Sequence, residues 1–236
     1  MAQKKLLSEV YNGVLKLSLN RPDRLNAIDT ELARALLAAL DAAATDTSIR
    51  VVRLRGNGRS FCAGRDVSAE PTEDDLVLVQ SVAQAIMRLS KPVLAAVHGW
   101  VIGAGVEWML DADIVIAAAS ARFKLPEASL GVFVTGGICA TLPAAAGLGR
   151  AKALMLLGED FSAEQAQAWG LVWKVVPDDR LDAVSEQVAA RLAALQPEVA
   201  ASFKHVLNTI GLSTFDRAIE LESQTQRAFA ARQPPR

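Results

Sequence analysis

Two glutamates carry the first chemical signal in this sequence. Glu107 sits in Gly103-Ala104-Gly105-Val106-Glu107-Trp108-Met109-Leu110, where every near neighbour is apolar or glycine. A carboxylate in such company enters the interior, and burial raises its pKa toward the range useful for proton transfer near neutrality. The same pattern fits a buried structural ion pair or a helix-start charge. Glu127 lies in Phe123-Lys124-Leu125-Pro126-Glu127-Ala128-Ser129-Leu130-Gly131. Proline followed by glutamate is what the first turn of a helix prefers, so Glu127 alone reads first as structural. Taken together, two carboxylates in largely apolar settings can activate one water and exchange a proton with a substrate carbon.

Two backbone turns stand near them. Phe61-Cys62-Ala63-Gly64-Arg65-Asp66 follows a strand pattern and a glycine-containing loop. Small residues there let a ligand approach the main chain, and free N–H groups at such a turn can bind a developing oxyanion. An ordinary tight turn has the same composition. Gly99-Trp100-Val101-Ile102-Gly103-Ala104-Gly105 is a second turn feeding a helix, whose first N–H groups lack intrahelical partners. Close helix–strand packing is its alternative reading. Cys62 reads as a small packed residue, His98 as a hydrogen-bonded structural histidine, and His205 as a surface or interface residue. No phosphate-binding P-loop and no Gly-x-Ser-x-Gly elbow occurs, and Trp108 stands where a dinucleotide fingerprint needs its third glycine. Neither histidine has a metal-ligand partner at helical spacing, so no metal site is expected.

These residues need elements to position them. Val14 to Leu19 alternates apolar and polar residues, the period of a half-buried strand, and Asn20-Arg21-Pro22-Asp23 breaks it. Asp29 or Thr30 can cap a helix carrying Leu32, Leu36, Ala39 and Leu40 on one face. Val51 to Leu54 reads as the next strand. Residues 68 to 75 read as a polar surface loop, followed by a helix to about Ser90. Val93 to Val97 and Asp113 to Ala117 are apolar runs suited to strands covered on both faces. From Cys139 onward the pattern is mostly helical. Leu181 to Leu195 forms one amphipathic helix that Pro197 ends, and helices resume over 198–210 and 213–231. An α/β part of about 140 residues therefore precedes a helical part of about 90.

The 236 residues are 51% hydrophobic and 22% charged, which excludes an intrinsically disordered chain. Twenty-five basic and 26 acidic residues leave no electrostatic footprint for nucleic acid or an anionic membrane. Two cysteines cannot build a disulfide framework. No apolar run is long enough to span a membrane and no signal peptide is visible, so a soluble cytoplasmic protein is expected.

Five stretches occur in a telling order: NRPDRLNAI (20–28), GNGRSFCAGRD (56–66), KPVLAAVHGWVIGAGVE (91–107), FKLPEASLGV (123–132) and FSAEQAQAWGLVWKVV (161–176). Together they resemble the crotonase superfamily of enoyl-CoA hydratases and isomerases, over roughly residues 10 to 210. The resemblance implies an α/β fold, a spiral of ββα units with a helical C-terminal region. It implies a core domain over 1–195 and a shortened helical trimerisation region over 196–236, assembled as a homotrimer or dimer of trimers. The implied substrate is an acyl-CoA thioester, with no cofactor beyond the coenzyme A that the substrate carries, and with neither nucleic acid nor membrane as partner. The backbone N–H groups of Arg65 and Ala104 would meet the thioester enolate oxygen. Glu107 and Glu127 would hold the water that adds across the α,β double bond. Arg24, Leu25 and Ala27, then Ala63, Asp66 and Val67, match the CoA-lining segments. Trp100, Gly103, Pro126, Val132 and Thr135 would complete the substrate lining. A solvated surface charge is the other reading of Arg24.

Three departures from the family pattern bear on the substrate. The stretch after the second glutamate reads Gly131-Val132-Phe133-Val134-Thr135-Gly136-Gly137, which alters the wall of the acyl pocket. Thr135 stands where isomerases and dehalogenases often place an acid, so retention of both glutamates favours hydration. Trp100 and Trp108 are bulky and expected to shorten or flatten the pocket. The chain ends at Arg236 soon after Phe229-Ala230-Ala231-Arg232-Gln233-Pro234-Pro235, where the family usually continues with a helix over the CoA cleft. The competing readings are another crotonase reaction (isomerisation, acyl-CoA hydrolysis or carbon–carbon cleavage) and a non-catalytic acyl-CoA-binding oligomer.

Overall fold

The computed structural model describes residues 4–68 and 72–231. The chain opens with a hairpin, β1 (Leu6–Tyr11) against β2 (Val14–Leu19), turned at Asn12 and Gly13, both at positive φ. Asn-Gly is the residue pair that a two-residue hairpin turn demands. Helix α1 (Thr30–Thr45) follows, its start held by Asp29, whose carboxylate accepts the Leu32 N–H at 2.8 Å. Strand β3 (Val51–Gly56) leads to α2 (Glu73–Arg88), then β4 (Val93–Val97), β5 (Trp100–Ile102) and α3 (Ala104–Leu110). Next come β6 (Ile114–Ala118), β7 (Arg122–Lys124), the single turn α4 (Glu127–Leu130), α5 (Ile138–Ala146) and α6 (Leu148–Leu157). Strand β8 (Phe161–Ser162), α7 (Ala163–Ala168), β9 (Lys174–Val176), α8 (Leu181–Ala193), α9 (Pro197–Gly211) and α10 (Phe215–Ala230) complete it.

The larger sheet runs β1-β2-β3-β4-β6-β9, parallel except for the β1–β2 hairpin. The smaller sheet runs β5-β7-β8. Both faces of the larger sheet are covered, which is why β4 and β6 are apolar throughout; β3 also buries Arg53, which pairs with Asp182. Val52, Leu54, Ala95 and Ala117 face the main core with α1 and α2, whereas Val51, Leu94, Ala96 and Ile116 face Leu181 and Ala189 of α8. Short strand–strand–helix turns repeat along the chain, and the smaller sheet stacks the ends of successive turns.

Four sequence expectations change. The polar stretch 68–75 is shorter as a loop, because Thr72 and Asp75 form a reciprocal capping box and start α2 at Glu73; residues 69–71 lie outside the described residues. The hairpin strand β1 precedes the expected first strand; its largely exposed residues lack the alternation of a half-buried strand. The region after Cys139 is not all helix: β8 and β9 lie there, and β9 is an edge of the larger sheet, so the α/β part extends to Val176. Pro197 starts α9 rather than ending α8, which stops at Ala193; the first helical position tolerates proline because its N–H has no intrahelical partner. The expected C-terminal region reaches residues 232–236, which lie outside the described residues.

Candidate active site

The segment after β3 runs beside β5. Cys62 N–H donates to the Trp100 carbonyl at 3.2 Å, and Ile102 N–H returns to the Cys62 carbonyl at 2.9 Å. Gly64, at φ +82°, continues this approach: a Cβ there would lie 2.8 Å from the Ile102 oxygen. The crossing sets the Arg65 amide beside the start of α3. Among the described residues, neither the Arg65 nor the Ala104 N–H donates to a protein acceptor. Two free backbone donors at one crossing can stabilise charge developing on a substrate oxygen.

Glu107 lies one turn into α3 and is 1% exposed. Its oxygens accept the Thr135 N–H at 3.0 Å and the Thr135 hydroxyl at 3.3 Å. Burial, with repulsion from Glu127 and Glu222, pushes its carboxyl up to about 8. Glu127 opens α4 and comes to the mouth of the same helix: a Cβ on Gly103 would stand 2.5 Å from Glu127 Oε1. Burial pushes the Glu127 carboxyl up to about 7, and its Oε2 is buried with no hydrogen-bond partner among the described residues. Two carboxyls with pKa values near neutrality therefore face the region where the free N–H groups lie. This pair can hold one proton between its members and pass it to and from a bound water.

The Enoyl-CoA hydratase/isomerase family profile matches residues 9–234. The chain belongs to the enoyl-CoA hydratase/isomerase family. It is 39% identical to the 1,2-epoxyphenylacetyl-CoA isomerase of Escherichia coli (strain K12), over 94% of this chain and 88% of that protein. It is 41% identical to the 2,3-dehydroadipyl-CoA hydratase of the same organism, over 86% of this chain and 81% of that protein. An enoyl-CoA hydratase from Mycobacterium avium subsp. paratuberculosis K-10 superposes with a TM-score of 0.94 at 33% identity, covering 99% of this chain and 96% of its own. The architecture is the crotonase fold with C-terminal helices, and the chain is a crotonase-family enzyme of a family acting on CoA thioesters.

The two segments that this family resemblance assigns to CoA meet in the structure. Ala63 N–H donates to the Leu25 carbonyl, Ile28 N–H to Gly64, and Asp66 N–H to Ile28. Leu25 and Asn26 hold left-handed backbone (φ +51° and +57°), which turns this segment toward residues 57–66. Arg24 and Val67 are exposed, and Ala27 and Ala63 are half-buried. The Asp66 carboxylate is committed to Ser68 and Arg21, which hold it down to about 2. Pro126 precedes Glu127, and Val132 N–H donates to the Glu127 carbonyl. Trp100 bonds through its backbone to Ser60 and Cys62, and its ring is partly exposed. Trp108 does not narrow a pocket: it is fully buried in the core, and its indole N–H reaches the Val79 carbonyl at 3.4 Å. Thr135, placed by sequence in the substrate lining, is buried and spends its donors on Glu107. Cys62 is buried and His98 bonds the Gly58 carbonyl, as expected.

Three contributors lacked a local sequence signal. Buried Asn26 accepts the Arg21 N–H and donates to the Asn57 and Ser60 carbonyls, fixing the loops at 21–26 and 57–60 to each other. Glu222 of α10 accepts the Gly137 and Cys139 N–H groups at 2.7 and 2.8 Å. Asp111 lies one turn beyond Glu107, buried, with neither oxygen bonded among the described residues; burial pushes its carboxyl well up. The described residues contain no cluster of three or more histidine, cysteine, aspartate or glutamate side chains arranged for a metal ion. No described helix is long and apolar enough to cross a membrane.

Proposed function

We propose that this enzyme adds water across the α,β double bond of an enoyl-CoA thioester. The observation carrying the proposal is the convergence of Glu107 and Glu127, both with raised carboxyl pKa values, beside the unbonded Arg65 and Ala104 amides. One glutamate, ionised, takes a proton from a water held between the pair. The water oxygen bonds to the β-carbon, and the double-bond electrons move toward the thioester oxygen. The two N–H groups meet that enolate charge. The other glutamate, protonated, delivers its proton to the α-carbon. The two carboxyls exchange roles in the reverse reaction.

Two features support hydration over double-bond migration. Both carboxyls are present, and Thr135, at the position where other branches place an acid, carries none and is bonded to Glu107. Isomerisation is the second reading, favoured by the 39% identity to the epoxyphenylacetyl-CoA isomerase. The test follows the ultraviolet band of conjugated enoyl-CoA thioesters, which falls on hydration. Glu107→Gln and Glu127→Gln should each lower the rate on the order of 10²–10⁴-fold while folding is retained. Full activity in either variant, or a shifted double bond as product, would refute hydration by this pair.

We also infer assembly as a homotrimer or pair of trimers, with the helices of 196–236 as a region for subunit contact. Support comes from α9, where Phe203, Leu207 and Ile210 are exposed on one side while Lys204 turns inward to Asp113 at 2.9 Å. The division from the core at residue 195 coincides with the break between α8 and α9.

A further inference from the structure

A cavity of about 210 Å³ opens between the first turns of α1 and α2, beside the segment that carries Arg65. Leu78 and Val79 supply apolar wall, and the half-buried Arg65 lines the polar side. Three aspartates share that side, and each is already bonded elsewhere. Asp29 accepts the Leu32 N–H and pairs with Lys5 and Arg21. Asp66 pairs with Arg21 and accepts from Ser68. Asp75 accepts the Thr30 hydroxyl and both donors of Thr72, at the positive end of α2. Among the described residues, Arg65 has neither a hydrogen-bonded nor an ion-paired carboxylate; Asp75 and Glu107 act on it only at longer range. A guanidinium drawn out of water without a bonded anion is costly, and its planar fork of N–H donors fits a carboxylate.

We propose that Arg65 selects the acyl group: its guanidinium binds a carboxylate at the far end of a short acyl chain whose thioester oxygen lies at Arg65's own N–H. This inference rests on the thioester reading of the site. One residue then reads both ends of the acyl group, the reacting carbonyl through its backbone and the terminal charge through its side chain. The apolar wall takes the methylenes between. An uncharged chain of equal length leaves the guanidinium unpaired.

Calorimetry on the whole protein tests it, with succinyl-, glutaryl- and adipoyl-CoA against butanoyl-, pentanoyl- and hexanoyl-CoA. These thioesters are saturated, so binding is read without turnover. At the best-fitting length the carboxylate form should bind about ten- to a hundredfold more tightly. Arg65→Gln should erase that ratio, and Arg65→Lys should keep part of it. Equal affinities in the unaltered protein would overturn the proposal. Equal weakening of both series by Arg65→Gln would also overturn it, placing the side chain on CoA itself or in folding. If Arg65→Gln does not fold, the wild-type ratio and the lysine variant decide. Binding of these thioesters with no hydration of their α,β-unsaturated counterparts sinks the hydratase reading alone, whereas no binding of any thioester sinks both.

Discussion

Glu107 and Glu127 stand at about 8 and about 7, so between those values the pair holds one proton. A reaction that needs one acid and one base should then give a bell-shaped kcat/KM profile with its maximum in that window. Rates should fall below about 7 as the base is lost, and above about 8 as the acid is lost. A flat profile from pH 6 to 9 would remove the pair from the chemistry. The same shift acts on stability. Glu107 holds its proton more tightly folded than unfolded, so its contribution is full below 4.5 and is lost as pH rises toward about 8. The melting temperature of Glu107→Gln relative to wild type should therefore climb across that interval. Gly103 is the other residue with a sharp requirement. Its φ is +52°, and a Cβ would stand 2.5 Å from Glu127 Oε1. Gly103→Ala should displace that carboxylate and lower kcat on the order of 10²-fold. Glu107 was legible in the sequence because all its neighbours are apolar. Glu222 was not: it lies among polar residues of a helix, and the amides it serves are 83 and 85 positions away.

The segment between α4 and α5 shows how elements build the site. It belongs to no helix or strand, so its amides need other partners. Alternate residues find them on side chains: Phe133 N–H on Gln226, Thr135 on Glu107 and Gly137 on Glu222, which also takes the N–H of Cys139 in the first turn of α5. Helix α10 thus holds the strip that delivers Thr135 to Glu107. Phe215 lies over Gly137, where a Cβ would come within 2.3 Å of its ring. Glu222→Gln keeps one acceptor for two amides and removes a like charge near Glu107. It should cost about 1–3 kcal/mol in unfolding free energy and move the upper limb of the pH profile downward. An unmoved limb would mean that Glu222 is structural only. The cap at Asp29 and the covered strands were visible as local patterns. The small sheet was not, because two- and three-residue strands are too short to show a period, and their pairing is set by the crossing at Cys62 and Val101.

For the whole molecule, the outward side of α9 is one apolar surface that a single chain leaves uncovered. Phe203, Leu207 and Ile210 are 68%, 66% and 75% exposed. Burying such residues between subunits contributes more than leaving them in water. Phe203→Asp together with Ile210→Asp should convert the proposed trimer to monomers in sedimentation while leaving the far-ultraviolet circular dichroism intact. A wild-type protein that sediments as a monomer would end the trimer proposal. The helical period of this region was plain in the sequence, but which side faces inward was not: the buried member is Lys204, a residue that composition alone assigns to solvent. The ties from Glu222 and Gln226 also set a timetable for biosynthesis. The ribosome reaches these anchors only after nearly every other described residue has been joined. A nascent chain can complete its β-layers, but it has no ordered strip to orient Glu107 until α10 emerges and docks. Unfinished polypeptides should therefore be silent toward the metabolite pool.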